Sequence, residues 1–247
     1  MNEKVVAMYR IKNEERWIKQ SIESIYDFCD EIVILNDNST DNTKKICTQF
    51  DKVVDIHTRT ESTLDESRDR NFLLHMALKR KPDVLLVIDG DEIFLPNSGK
   101  IIQAELDILH PDAQIFEFQL LTLWDKQNQI RFDGAFSSFW QKRMFRLKDQ
   151  PSDLIINETP YPGNLHCGGI PTNMVGIERP VLSNAKIFHC ASLDESMRVK
   201  KHEWYVSKDP DNTLTDNYQH MLNAKGRFSG SSLKFKTIPS DFVYDLN

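Results

Sequence analysis

The sequence predicts an α/β protein built on a doubly wound, mostly parallel sheet with helices on both faces. Three observations predict it. Short β-branched runs alternate with stretches of helical period through the N-terminal part of the chain. The run Val84-Leu85-Leu86-Val87-Ile88 is apolar at every position, as a strand buried on both faces requires. That run opens directly into Asp89-Gly90-Asp91-Glu92, an acidic turn at the strand's carboxyl end, the edge where open α/β sheets bind ligands.

In chain order, Lys4 to Tyr9 reads as the first strand. Asn13 is a plausible N-cap with Glu14 and Glu15 in the first helical turn. Ile18, Ile22 and Ile25 then repeat at helical spacing. Glu31 to Leu35 is the second strand, ending in the turn-forming cluster from Asn36 to Thr43. A helix follows from about Asp41 to Phe50, and Val53, Val54 and Ile56 make a third strand. Asp65 to Lys81 reads as a helix with Phe72, Leu73, Met76 and Ala77 on its apolar face, stopped by Pro82. Beyond the central strand, Ile102, Leu106 and Leu109 mark another helix. Gln114–Leu121 and Phe139–Leu147 read as strands, with a hairpin or lid between them. Residues 151–180 are rich in proline and glycine, a long functional or mobile loop. Lys186–His189 is a short strand, Leu193–Ser207 a helix, and Leu214, Tyr218, Met221 and Leu222 the face of a last helix ended by Gly226.

Composition narrows the function. The 247 residues are 40% hydrophobic and 28% charged, ordinary globular values. A domain of this size buries roughly 70–75% of its unfolded surface and needs no staples. The net charge of −6 argues against a general polyanion binder. No apolar run has the length of a membrane span, and Met1-Asn2-Glu3-Lys4 does not begin a signal peptide. Cys29, Cys47, Cys167 and Cys190 lack C-x-x-C spacing and suggest reduced thiols in a cytoplasmic protein.

Carboxylates at i and i+2 on a turn suit Mg²⁺ or Mn²⁺, which take much of their shell from water and substrate phosphates. The plainer alternative is a solvated acidic loop. Gly90 is the first glycine in the chain, so neither G-x-G-x-x-G nor a P-loop lies in the first three βα units. If a nucleotide diphosphate binds, something other than a glycine-rich loop neutralises it, and a divalent ion on Asp89 and Asp91 would do so. Gly90 would let the backbone turn between them.

Four motifs in register over about residues 3–95 resemble family 2-like glycosyltransferases of the GT-A fold. They are Arg10-x-x-Asn13-Glu14-Glu15, Leu35-Asn36-Asp37-Asn38-Ser39-Thr40-Asp41-Asn42-Thr43, Ser67-Arg68-Asp69-Arg70-Asn71, and the D-x-D of Asp89-Gly90-Asp91. More loosely, Arg143-x-Phe145-Arg146, Leu165-His166-Cys167-Gly168 and Phe188-His189-Cys190 before Arg198-x-x-Lys201 resemble a bacterial and viral branch. Asn38 stands where the family has glycine, and extra residues, Asp69 and Arg70, separate Arg68 from Asn71. The resemblance implies one GT-A-like domain over residues 1–247, with 1–95 as the nucleotide-sugar half and 96–247 as a loop-rich acceptor half.

It also implies roles. Tyr9, Arg10, Glu14, Asp37, Asn38, Ser39, Arg68, Asn71, Asp89 and Gly90 would contact the nucleotide-sugar. Asp37 would accept from the base, and the N3–H of uracil suits a carboxylate, so a UDP-sugar is favoured. Asp89, Asp91 and His189 would hold Mn²⁺ or Mg²⁺, with imidazole an acceptable Mn²⁺ ligand. Trp124 and His166 would contact acceptor or phosphate, while Lys200 and Lys201 could reach the diphosphate from the next helix but read more simply as a solvated face. The implied chemistry is inverting transfer to a hydroxyl of a glycan or other surface polysaccharide precursor, with Glu158, then Asp153, then Asp133 as candidate base. A sugar-1-phosphate nucleotidyltransferase would be expected to carry an N-terminal glycine-rich loop, and a non-catalytic sugar-binding protein need not keep Asp89 and Asp91. A DNA-modifying variant would use the basic cluster Lys225, Arg227, Lys234 and Lys236, for which a solvated tail is the plainer explanation.

Overall fold

A computed structural model describes residues 3–60, 64–157, 165–213, 218–223 and 232–239. Its elements are strands β1 (Val5–Ile11), β2 (Glu31–Asn36), β3 (Val53–Thr58), β4 (Val84–Asp89), β5 (Glu92–Phe94), β6 (Ile115–Trp124), β7 (Lys126–Arg131), β8 (Trp140–Arg146), β9 (Val181–His189) and β10 (Phe235–Thr237). The helices are α1 (Ile18–Ile25), α2 (Thr43–Cys47), α3 (Glu66–Leu78), α4 (Ser98–Ala104) and α5 (Glu195–Lys208).

The main path of the sheet runs β10-β7-β6-β8-β4-β1-β2-β3, and β9 pairs with both β5 and β6. The expected α/β architecture is present. The β4-β1-β2-β3 section is parallel, whereas β8 joins β4 antiparallel and the β6–β7 hairpin extends the sheet antiparallel, so the whole sheet is mixed. Strand alternation sorts β1 between two cores. Val5, Ala7, Tyr9 and Ile11 pack with Ile18, Ile22 and Ile25 of α1, while Val6 and Met8 pack with Leu73, Leu74, Met76 and Ala77 of α3. Among the described residues no helix is long and apolar enough to cross a membrane.

Several local expectations are corrected. Asn13 does not cap α1: it is left-handed (φ 55°), and Trp17 precedes the helix. Phe72 leaves the expected apolar face of α3 and is 42% exposed, its ring against His57, while Leu74 takes its place inside. The Ile102–Leu109 helix ends as a π-turn, Glu105–Leu109, that leaves Leu109 exposed. At the expected last helix the described residues form only a 3₁₀ turn, Gln219–Met221, behind a left-handed Tyr218; Leu214 and Gly226 lie outside the described residues. The tail adds a strand, β10, at the edge of β7.

Candidate active site

Strand order reverses around β1, which lies between β2 and β4, and such a switch point opens a crevice at the carboxyl edge. Arg10 and Asp89 are register partners there. The loops after β1 and β2 are laced together above it. The Asn13 N–H donates to Ser39 Oγ (2.9 Å) and Thr40 N–H to Asn13 Oδ1 (2.8 Å). Glu14 N–H donates to Thr43 Oγ1 (2.7 Å), and Asn42 N–H to Glu15 Oε2 (2.9 Å).

Below these loops lies a cleft of about 550 Å³ lined by Arg10, Lys12, Glu14, Arg70, Asp89, Asp91, Arg143, His189 and Lys201, among others. Asp89 ends β4 between two arginines, Arg70 Nη2 at 3.1 Å and Arg143 Nη2 at 3.0 Å. Arg143 also bonds buried Glu92. Burial pushes the Asp89 carboxyl up, but Arg143 and Arg70 outweigh it and hold it well below the usual range. For Glu92 burial wins over Arg143 and raises the carboxyl to about 7. Burial and then the charge of Asp91 raise Glu14 to about 9, so it is protonated at neutral pH. Gly90 is needed for close approach: a Cβ there would lie 2.7 Å from Glu14 Cγ and 3.2 Å from Ile11 Cγ2. It has no positive φ, so the expectation of a special turn conformation is corrected to one of packing.

Asp91 occupies the turn between β4 and β5. His189 reaches it from the end of β9, where it pairs in register with Glu92. Their Nε2 and Oδ2 atoms are 3.5 Å apart, and Lys201 Nζ is 3.8 Å from the same oxygen. Burial pushes Asp91 up, but His189 and Lys201 prevail and hold it low. His189 Nδ1 and Arg143 Nε are buried with no hydrogen-bond partner among the described residues, polar groups that a ligand or water must satisfy. Among the described residues no three His, Cys, Asp or Glu side chains are grouped to hold an ion. Asp91 and His189 face each other, whereas Asp89 is held by Arg70 and Arg143.

At the neighbouring strand end, Asp37 is closed off. Its Oδ1 accepts from Arg59 Nε (3.1 Å) and Nη2 (2.6 Å), and its Oδ2 from Arg10 (3.3 Å) and Lys12 (3.4 Å). Buried Asp69 completes the cluster through Arg10 and Arg59. Burial works against the Asp37 charge, but Arg59, Arg10 and Lys12 keep its carboxyl below the usual range. Asn38 adopts φ 52°, which asparagine tolerates, so its replacement of glycine fits the backbone.

Other expected contacts are moved away from the cleft. Tyr9 is fully buried against α1, with its hydroxyl at 3.0 Å from Ser21 Oγ. Ser39 Oγ belongs to the loop lacing. Arg68 is turned outward and bonds Asp69 (2.9 Å). The Asn71 amide clamps Ile156, donating to its carbonyl (2.7 Å) and accepting from its N–H (2.9 Å). Trp124 is buried between the guanidinium groups of Arg131 (4.7 Å) and Arg198 (4.2 Å). Asp133 is buried in a two-pronged pair with Arg131 (2.8 and 2.9 Å), and Asp153 is exposed outside the cleft. Glu158 lies outside the described residues, as do Lys225 and Arg227. Lys236 lies over the Phe132 ring on β10. His166 does line the cleft, stacked on Tyr205 at 5.1 Å.

Sequence reasoning gave no role to Arg70, Arg143 or Tyr205, named Glu92 only as part of the acidic turn, and preferred a solvated face for Lys201, which lines the cleft. Arg70 carried a signal, since it directly precedes Asn71 and so stands without the extra residues that set Arg68 apart. Arg143 lay within a quoted motif, but nothing local aims it at Asp89.

Curated proteins gave no match. Among solved structures, glucosyl-3-phosphoglycerate synthase from Mycobacterium tuberculosis, in complex with Mn²⁺, uridine diphosphate and phosphoglyceric acid, is 18% identical with a TM-score of 0.35. The likeness covers 49% of this chain and 43% of that one, so the chain spans less than half the length of that neighbour. A 4-diphosphocytidyl-2C-methyl-D-erythritol synthase is 13% identical over 59% of this chain and 76% of that one, with a TM-score of 0.38. These likenesses are distant. The family model of glycosyl transferase family 2, by contrast, matches residues 10–156, more than half of the sequence. The chain belongs to glycosyl transferase family 2.

Proposed function

We propose that the chain is a metal-dependent, inverting glycosyltransferase. It would move a sugar from a nucleotide-diphosphate donor, with a UDP-sugar favoured, to a hydroxyl of a glycan or other surface polysaccharide precursor. The observation that carries this reading is Asp91 facing His189 across 3.5 Å in a cleft rimmed by Arg10, Arg70, Arg143 and Lys201. Two adjacent ligands of one octahedral ion stand about 3 Å apart when each bond is near 2.1 Å, so this pair fits Mn²⁺ or Mg²⁺ with only a small adjustment. A bound ion would stabilise the departing diphosphate as a Lewis acid.

The chain's own residues supply the rest. Arg70 and Arg143 fix Asp89 at the strand edge and bring positive charge to the diphosphate side of the cleft. Lys201 adds a cation beside Asp91 that a phosphate oxygen can share. At Asp37, Lys12 is the exposed partner, and its contact is the one a uracil N3–H would replace. Glu158 is the proposed base for the acceptor hydroxyl, by its place in the chain two residues beyond the clamped Ile156. Asp133 and Asp153 are set aside for the geometric reasons above.

The test incubates the protein with Mn²⁺ and a panel of UDP-, GDP- and dTDP-sugars and follows free nucleotide diphosphate. One donor should turn over, EDTA should stop it, and Asp91→Ala should cost more than the roughly 10–100-fold typical of losing an outer-shell metal partner. Turnover that survives both EDTA and Asp91→Ala would refute the metal site. Absence of both turnover and metal-dependent nucleotide binding would refute the transferase.

A further inference from the structure

The cleft has a second wall of a different chemistry. Five rings follow one another along it: His166 to Tyr205 (5.1 Å between centroids), Tyr205 to Tyr218 (5.0 Å), Tyr218 to His220 (6.4 Å) and His220 to Phe136 (6.2 Å). All five line the same cleft as Asp91. They come from four separate stretches of chain, so the arc is a product of tertiary packing. It is also anchored. Tyr218 is buried in the middle, with its hydroxyl donated to Asp209 at 2.8 Å. Arg131, fully buried, donates to the carbonyls of His220 and Asn223 and holds this stretch against the β7 hairpin. The outer rings, His166 and Phe136, keep solvent-accessible surface.

One end of the arc meets the reaction centre, because Tyr205 and Lys201 are one helical turn apart on α5 and Lys201 is 3.8 Å from Asp91. The arc itself carries no carboxylate and no lysine or arginine. Burial, and after it the neighbouring Arg131, lowers His220 to about 4, so that ring is neutral at pH 7. The cleft is therefore divided into an ionic part beside Asp89 and Asp91 and an aromatic part leading away from it, where Arg131, paired with Asp133, lies 4.0 Å over the Phe136 ring. A pyranose presents one face of C–H groups to such rings and hydroxyls at its rim; Tyr205 is stacked between His166 and Tyr218, so the rings that meet the sugar are the outer ones, His166 and Phe136. A phosphorylated or carboxylated acceptor would gain nothing from the aromatic wall.

We infer that the arc of His166, Tyr205, Tyr218, His220 and Phe136 is the acceptor subsite and takes a neutral pyranose ring. This rests on the transferase reading, since it assigns the acceptor side of the same cleft. The test measures binding, separately from transfer. Saturation-transfer NMR would be run with neutral p-nitrophenyl glucoside, galactoside and N-acetylglucosaminide, and with p-nitrophenyl glucuronide and glucose 6-phosphate as anionic probes. Mn²⁺-dependent UDP binding would be measured on the same samples. A neutral glycoside should bind through its ring protons. Phe136→Ala and His166→Ala should each weaken it by about tenfold, the scale of one lost ring contact, with UDP affinity within about twofold of wild type. Preference for the anionic probes, no binding of any neutral glycoside, or unchanged glycoside binding in both variants would overturn the inference. So would a fall in UDP affinity in place of glycoside affinity, which would give the rings to the nucleobase. Failure of the transferase reading looks different: wild-type protein would bind no nucleotide, whatever the glycosides do.

Discussion

Asp37 and Asp91 follow β2 and β4, the two parallel strands that flank β1, at one sheet edge, yet their surroundings differ. Asp37 has four donors on its two oxygens, three of them from buried or nearly buried arginines. Asp91 has a histidine at 3.5 Å and a lysine at 3.8 Å, both beyond close hydrogen-bonding distance, and three more carboxyl groups close enough to perturb one another. The first cluster pairs its carboxylates closely with arginines; the second leaves Asp91 with longer contacts only, in a cleft where Asp89, Glu92 and Glu14 lie beside Arg70, Arg143 and Lys201. Two aspartates on the same sheet edge thus differ in how firmly the protein's own side chains hold them.

Replacing Asp37 with Ala should give the largest stability change. It leaves Arg59 and Arg10 to share Asp69 as their remaining close carboxylate, and removing one member of a buried ion pair costs about 3–5 kcal/mol, readable as a lower urea midpoint. Little loss would mean that Asp69 alone satisfies both arginines. Gly90→Ala comes next. The new Cβ must displace Glu14, and overpacking of this kind costs about 1–3 kcal/mol, with nucleotide binding weakened in step. Acid should expose the same contrast more gently. The folded Asp37 carboxyl titrates below its unfolded value of roughly 3.9, so its contribution is complete above that pH and fades as pH falls through the folded value. Urea midpoints of wild type and Asp37→Asn should therefore converge toward pH 2 and separate above pH 4. The smallest stability effect is expected for Asp91→Ala, within about 1 kcal/mol of wild type, despite its loss of turnover. A large destabilisation there would make the two aspartates alike after all.

The strands of the parallel section and the Asp89–Asp91 turn were legible because their signals are local: an unbroken apolar run, then an acidic turn with glycine. Arg70 and Arg68 show where such signals end. Residues two apart on a helix point about 200° away from each other, so only one can face the cleft, and a motif of both does not say which. Asn71, expected at the nucleotide, clamps a backbone segment 85 residues later in the chain. Arg143 reaches Asp89 only because β8 pairs antiparallel with β4, and that pairing depends on the register of a remote strand. Trp124 looked free to meet a ligand, but two arginines from different elements enclose it. Charge partners distant in sequence are what one sequence does not display. Arg131 and Asp133 were closer to legible, since alternate residues of an extended strand share a face.

The lacing between the loops after β1 and β2 has a consequence for anyone who would re-engineer this protein. Each loop supplies the groups that hold the other's backbone: Asn13 and Ser39, Thr43 and Glu14, Glu15 and Asn42. Neither is an independent cassette. A loop transplanted from a relative with another donor preference would arrive without its counterpart, and an insertion in one would pull the other out of register. The two form a single inheritable part, to be exchanged together or left alone.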